Sequence, residues 1–178
     1  LAAWTADCAG LEPGFMVGGI PKNYNQSFRI PKGDWFVIEG DEYDTAFFDK
    51  GPKFLHYKPK FVILTSIEFD HADIYKDLDA VKASFIKLLQ LIPKDGVLIY
   101  NSEDANIASI LHHCQAPTVS YGWKKGDVQI LSHRVQRTGI EFTLNYDGRT
   151  YEFFLPMFGE YNVWNAAAVF ALVEKTGW

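Results

Sequence analysis

The sequence predicts an α/β domain: a mostly parallel sheet flanked by helices, with a small antiparallel β annex. Three observations point there. Short apolar runs of buried-strand type at Phe61–Ser66, Val97–Tyr100 and Thr118–Tyr121 alternate with segments of helical spacing, the rhythm of parallel strands joined by crossover helices. Parallel strands are covered on both faces, so they read as continuous apolar runs. After Trp123 the pattern turns to strict alternation around Asp147-Gly148, a strong hairpin signal.

Taken in order, Trp4, Cys8 and Leu11 recur at helical spacing, with Gly10 as a left-handed terminator and Pro13 just beyond. Phe15–Gly19 reads as a short strand, and a connection rich in Gly, Pro, Lys and Asn runs from Gly18 to Gly33. A strand is expected at Trp35–Glu39. The long connection Thr45–Lys60 then leads to the strand at Phe61–Ser66. From Asp77 to Leu91, Leu78, Val81, Phe85, Leu88 and Ile92 recur in steps of three and four, the apolar stripe of a helix, and Pro93 stops it. Val97–Tyr100, Glu103–His113 and Thr118–Tyr121 read as strand, helix and strand. In the annex, about residues 123–156, Asp127–Arg134 supplies one strand. Ile140, Phe142, Leu144 and Tyr146 alternate with polar neighbours, and Tyr151, Phe153 and Leu155 resume the alternation. A last helix, Asn162–Lys175, carries Val163, Ala166, Phe170 and Val173 on one face and closes at Gly177.

The 178 residues, 48% of them hydrophobic, suit one domain with a substantial core. A net charge of −5 argues against general nucleic-acid binding, which needs a basic face. Cys8 and Cys114 are too few and too far apart for a disulfide framework or a zinc ribbon. Two thiols suit a reducing compartment, and a cytoplasmic location is expected. No apolar run approaches the length of a transmembrane helix, so no membrane partner is expected. Leu1–Cys8 reads as mid-helix, the pattern of a piece of a longer protein.

Two strand ends carry the chemistry. Trp35–Ile38 runs into Glu39-Gly40-Asp41-Glu42-Tyr43-Asp44, and Phe61–Ser66 into Glu68-Phe69-Asp70-His71-Ala72-Asp73. Ligands of open α/β sheets bind beyond the carboxyl ends of parallel strands. If the two strands are neighbours, Glu39 and His71 meet at one crevice. Carboxylates and an imidazole without thiolates suit a hard cation such as Mg²⁺ or Mn²⁺. Glu39 either binds that cation or caps a turn. Asp41, Glu42 and Asp44 with Glu39 put four negative charges in six residues, a charge that a cation, lysines or water must compensate. His71, flanked by acids that can orient its ring, is either a ligand or a surface loop histidine. His112 and His113 suit a helix C-terminus, and the lysines at 50, 53, 58 and 60 a solvated face or an anionic substrate. Asn162 has N-cap chemistry, which accounts for one of the pair Asn162 and Asn165 but not both. The phosphate-cradling pattern Gly-x-x-x-x-Gly-Lys-Ser/Thr is absent from these 178 residues.

Together these residues resemble the central domain of the Mur ligases, the ATP-dependent enzymes that build the peptide of bacterial peptidoglycan. Glu39–Asp44 resembles the family's acidic motif, Glu68–Asp73 its Asp-His-x-Asp motif, and Gly159-Glu160-Tyr161-Asn162-Val163-Trp164-Asn165 its Gly-x-His-Asn-x-x-Asn motif. Tyr43–Lys50 and His56-Tyr57-Lys58-Pro59 look most like members that attach the recycled tripeptide L-Ala-γ-D-Glu-meso-diaminopimelate to UDP-N-acetylmuramate. Tyr161 stands where many members carry His. Phe85 falls near the position of the family's carbamylated lysine, a role not given to Lys82 or Lys87.

The resemblance implies a P-loop-type central domain over residues 1–178. The P-loop would lie immediately before Leu1–Ala9, and an amino-terminal UDP-binding domain and a carboxy-terminal domain would also lie outside the chain. It implies ATP and Mg²⁺, with Glu39 and His71 holding the metal and Asn162 and Asn165 contacting the nucleotide. The reaction implied activates a substrate carboxylate as an acyl phosphate, which an amine then attacks, and the fragment alone is expected to be silent. The competing readings are a UDP-N-acetylmuramate–L-alanine ligase, a metal-dependent hydrolase built on Glu39, Asp41 and His71, and a non-catalytic binding module.

Overall fold

The computed structural model describes residues 1–70 and 73–178. The first elements are α1 (Ala2–Cys8), β1 (Gly14–Met16), β2 (Phe28–Arg29) and β3 (Phe36–Ile38). Then come the short strands β4 (Asp44–Ala46) and β5 (Asp49–Pro52), a 3₁₀ turn (Lys53–His56), β6 (Phe61–Leu64) and α2 (Leu78–Leu91). They are followed by β7 (Val97–Asn101), α3 (Ala105–Ile110), a second 3₁₀ turn (Leu111–His113) and β8 (Thr118–Gly122). The chain closes with β9 (Val128–Gln136), β10 (Gly139–Tyr146), β11 (Arg149–Leu155) and α4 (Glu160–Thr176).

A six-stranded sheet in the order β11-β10-β9-β8-β7-β6 dominates. Strands β6, β7 and β8 pair in parallel, and β9 joins β8 in parallel before turning back through β10 and β11. The antiparallel strands are thus an extension of the main sheet. The β10–β11 turn places Asp147 at φ 50° and Gly148 at φ 73°, the left-handed pair that a tight hairpin demands.

Alternation along β6 and β7 divides the core in two. Val62, Leu64 and Leu98 face one layer with Val81, Leu88 and Leu89 of α2 and Ile107 of α3. Ile63, Val97 and Ile99 face the other, with Val163, Ala167, Ala168 and Ala171 of α4. The Ala-rich face of α4 lets its backbone approach the strands closely. Asp77 caps α2 by accepting a 2.8 Å hydrogen bond from the Ala80 amide.

β3 does not neighbour β6. It pairs with β1 in a separate three-stranded sheet of order β2-β1-β3, so the expectation of adjacent strands carrying Glu39 and His71 is corrected. Hydrophobic runs identify strands; their lateral order depends on tertiary packing. The starts of the two strands are linked by the rings of Trp35 and Phe61, with centroids 5.3 Å apart, and by Trp178 set edge-on to Trp35 at 4.7 Å.

Other local expectations also shift. α1 buries Ala3 and Ala6, while Trp4 is 44% exposed and Cys8 exposed. The connection 45–60 contains the β4–β5 hairpin and a turn that sinks Phe54 into the core. α4 begins at Glu160 with Gly159 as its cap, so Asn162 is not the N-cap. Among the described residues no helix is long and apolar enough to cross a membrane.

Arg29 ties α1 to the small sheet. Its guanidinium donates to both Asp7 oxygens at 2.8 and 3.2 Å, Nε donates to the Pro13 carbonyl at 2.9 Å, and the group lies over the Phe15 and Tyr24 rings. Hydrogen bonding to Arg29 holds the Asp7 carboxyl below its usual range. A depressed folded-state pKa contributes stability above the ordinary carboxylate value, about 4, and loses it as pH falls through the folded value. Asp7→Asn is therefore expected to lower stability at pH 7 and to flatten its decline on acidification, as read by urea denaturation at pH 7 and pH 3.

Candidate functional site

β1 and β3 are parallel, with Met16 in register with Ile38, so the residues that follow both emerge at one edge. The Glu39 amide donates to the Met16 carbonyl at 3.0 Å, and Glu39 Oε2 accepts from the Gly18 amide at 2.6 Å. A Cβ at position 18 would lie 3.3 Å from that oxygen, so glycine leaves room for the carboxylate to close on the backbone. Glu39 is exposed, and its Oε1 has no hydrogen bond among the described residues.

The charge of the following acids is partly neutralised locally. Asp41 accepts from Lys53 Nζ at 2.9 Å and from the Tyr43 amide at 2.8 Å. This lysine is one of the four that the sequence offered as a solvated face or an anion contact, and its hydrogen bond to Asp41 raises its pKa. Asp49 accepts from the Gly51 amide at 3.0 Å and meets His56 Nε2 at 2.9 Å, and these bonds, the first foremost, hold its carboxyl below the usual range.

The segment after β6 is anchored from α3. The Ile67 amide donates to Asp104 Oδ2 at 3.1 Å, and the Ile67 carbonyl accepts from Asn106 Nδ2 at 2.7 Å. Asn101 Nδ2 donates to the Thr65 carbonyl at 3.2 Å. Glu68 and Asp70 follow as exposed residues, and His71 lies outside the described residues. Beyond it, buried Tyr75 donates its hydroxyl to the Glu42 carbonyl at 2.8 Å. That bond joins the segment after β6 to the acidic segment after β3, although their strands are in different sheets. The sequence reading gave Asp104, Asn106 and Tyr75 no role. Only the cap position of Asp104 was legible, three residues before Ile107.

Asn162 and Asn165 come together on the first turns of α4. They line a cleft of about 350 Å³ with Leu1 and Ala2, Ile63 of β6, and Met157, Ala168 and Val169. Asn162 is 5% exposed, and its Nδ2 donates to the Phe158 carbonyl at 2.7 Å. Glu39 does not line this cleft. Gly159 enters α4 at φ 97°, with the Tyr161 ring covering the place a Cβ would take.

Chemically, the described residues offer the Glu39 carboxylate held by a backbone amide after β3, the exposed carboxylates of Glu68 and Asp70 after β6, and two amides on a cleft wall. Among them no group of three or more His, Cys, Asp or Glu converges as a metal cage. That donor set fits Mg²⁺, which keeps waters and substrate phosphates and takes only one or two carboxylates from protein.

Residues 25–173 match the family described as the Mur ligase middle domain. The UDP-N-acetylmuramate–L-alanyl-γ-D-glutamyl-meso-2,6-diaminoheptandioate ligase of Escherichia coli strain K12 is 46% identical over 107 residues, 60% of this chain and 23% of that protein. The Haemophilus influenzae ligase of the same name is 34% identical over 179 residues, 99% of this chain and 39% of that one. The crystal structure of the corresponding Neisseria meningitides ligase superposes with a TM-score of 0.88 at 36% identity, covering 99% of this chain and 57% of that one. The chain thus spans well under half the length of the curated relatives it matches.

Gly159 is the backbone device that aims the asparagine turn. Gly159→Ala forces an L side chain into the left-handed region and into the Tyr161 ring, and is expected to cost about 1–3 kcal/mol. Urea denaturation measures the loss, and hydrogen exchange should localise it to the first turn of α4.

Proposed function

The chain belongs to the Mur ligase middle-domain family, and from that premise we propose that it is the central domain of an ATP- and Mg²⁺-dependent amide-forming ligase. Its substrates on this reading are UDP-N-acetylmuramate and the recycled murein tripeptide L-Ala-γ-D-Glu-meso-diaminopimelate, and its place of work is the cytoplasm. The intact protein adds the P-loop ahead of Leu1, an amino-terminal UDP-binding domain and a carboxy-terminal domain.

One observation carries the reading. Asn162 and Asn165 face the start of α1 across one cleft, where a phosphate loop leading into that helix would bring a nucleotide against them. With its Nδ2 committed to Phe158, Asn162 keeps Oδ1 as an acceptor toward a nucleotide amino group. Glu39, held on one oxygen by the Gly18 amide, keeps the other for a metal, which His71 would share.

In the reaction the muramate carboxylate attacks the γ-phosphorus of ATP, giving an acyl phosphate and ADP. The tripeptide amine then attacks the acyl carbon, forming the amide and releasing phosphate. Bound Mg²⁺ supplies shielding of phosphate charge from the anionic carboxylate. The chain's own part is to orient: the Gly18 amide fixes Glu39, the Phe158 carbonyl fixes Asn162, and Lys53 draws charge from Asp41.

Full-length protein with ATP, Mg²⁺ and UDP-N-acetylmuramate is expected to release phosphate on addition of tripeptide, faster than with L-alanine. Preference for L-alanine would instead mark an alanine-adding ligase, and turnover without ATP would mark a hydrolase. Glu39→Gln should lower kcat by about 100-fold or more and raise the Mg²⁺ needed. The 178-residue chain alone should show no turnover and weak ATP binding by isothermal titration.

A further inference from the structure

Three polar side chains within residues 101–106 converge on two backbone residues nearly forty positions away. Asn101 holds the Thr65 carbonyl, Asp104 the Ile67 amide and Asn106 the Ile67 carbonyl. Ile67 is itself 1% exposed and lies in the same core cluster as Ile107 of α3. Both backbone groups and the side chain of this one residue are therefore fixed, and Glu68 leaves directly from it.

Helix capping alone does not account for the arrangement. Capping α3 requires one oxygen, and Asp104 Oδ1 provides it by accepting from the Ile107 amide at 2.8 Å. Its second oxygen reaches across to Ile67. Asn106, in the first turn of α3, turns its side chain back to the same residue rather than to solvent. A buried loop residue needs its amide and carbonyl satisfied. Here both partners come from one short element, so the loop moves only if that element moves.

We propose that Asp104 and Asn106 are positioning residues for the metal-binding segment Glu68–Asp73, acting through Ile67. This rests on the reading of that segment as the place where His71 shares a metal with Glu39. Groups hydrogen-bonded to metal ligands are worth about 10–100-fold in metal affinity or activity when removed. Asp104 and Asn106 hold the loop's backbone, so that effect reaches the ligand through Ile67.

The test uses full-length protein in three variants. Asp104→Asn keeps a capping oxygen for the Ile107 amide but leaves one of the two bonds unmade. Asn106→Asp replaces the donor to the Ile67 carbonyl with an acceptor. Ser109→Ala, on the same helix and bonded among the described residues only to the Asn106 carbonyl, is the control. The readouts are hydrogen exchange of the peptide covering residues 65–70, Mn²⁺ affinity by paramagnetic resonance without turnover, and kcat and KM for UDP-N-acetylmuramate. Both α3 variants are expected to lose protection in residues 65–70 and to bind Mn²⁺ about tenfold more weakly. KM should be unchanged, and Ser109→Ala should match wild type.

Protection lost with Mn²⁺ affinity intact would make the bonds purely structural and overturn the proposal, as would unchanged protection. Tighter Mn²⁺ binding by Asn106→Asp would place the metal at the start of α3 itself, and also overturn it. If Mn²⁺ affinity falls as expected while wild type shows no tripeptide-dependent phosphate release, the ligase reading fails and the positioning role stands. Wild type that binds no Mn²⁺ overturns both.

Discussion

Burial of β6 and β7 on both faces is the constraint from which the rest of the molecule follows. Each strand sends alternate residues to opposite layers, Val62 and Leu98 toward α2 and α3, Ile63 and Ile99 toward α4. A slip of one residue would exchange the two sets. With apolar partners on each side, the penalty of a slip falls on the packing of both layers rather than on exposure. Register is thereby fixed at the carboxyl ends, and with it the departure points of Thr65 and Ser102. The cleft at Asn162 and the anchor at Ile67 sit on opposite consequences of the same packing: α4 presses one face, α3 the other.

The acidic segment after β3 illustrates how crowded carboxylates are managed unequally. Asp41 is matched by Lys53 and Asp49 by His56, whereas Glu39 relies on a backbone amide. An amide orients a carboxylate without cancelling its charge, so Glu39 remains available to a cation while its neighbours do not all compete for it. Tyr75, through the Glu42 carbonyl, supplies the link that strand pairing does not.

Sequence pattern conveyed what depends on local periodicity. α2 was legible from its apolar stripe and the Pro93 stop, and the β10–β11 turn from Asp147-Gly148, since both are settled within a few residues. The β4–β5 hairpin was not, because Phe47 and Phe48 at its tip carry none of the usual turn chemistry. The cap of α4 was misplaced onto Asn162 because a cap residue is recognised by side chain, while Gly159 works through φ 97°. The pairing of Asn162 with Asn165 on one helix face was readable from spacing. The partition of β3 and β6 into different sheets, and the second arm of Asp104, are long-range facts that no window of sequence contains. The placement of His71 lies outside the described residues.

The β9–β11 meander also implies an order of assembly. Its strands join through turns of two residues, so its contacts close loops of small entropy. The pairing of β6 with β7 and of β7 with β8 must each wait for a crossover through a helix, and nonlocal pairing of this kind forms slowly. The last-synthesised half of the sheet is thus the half best able to form first, offering β9 as the template on which the parallel strands are laid down.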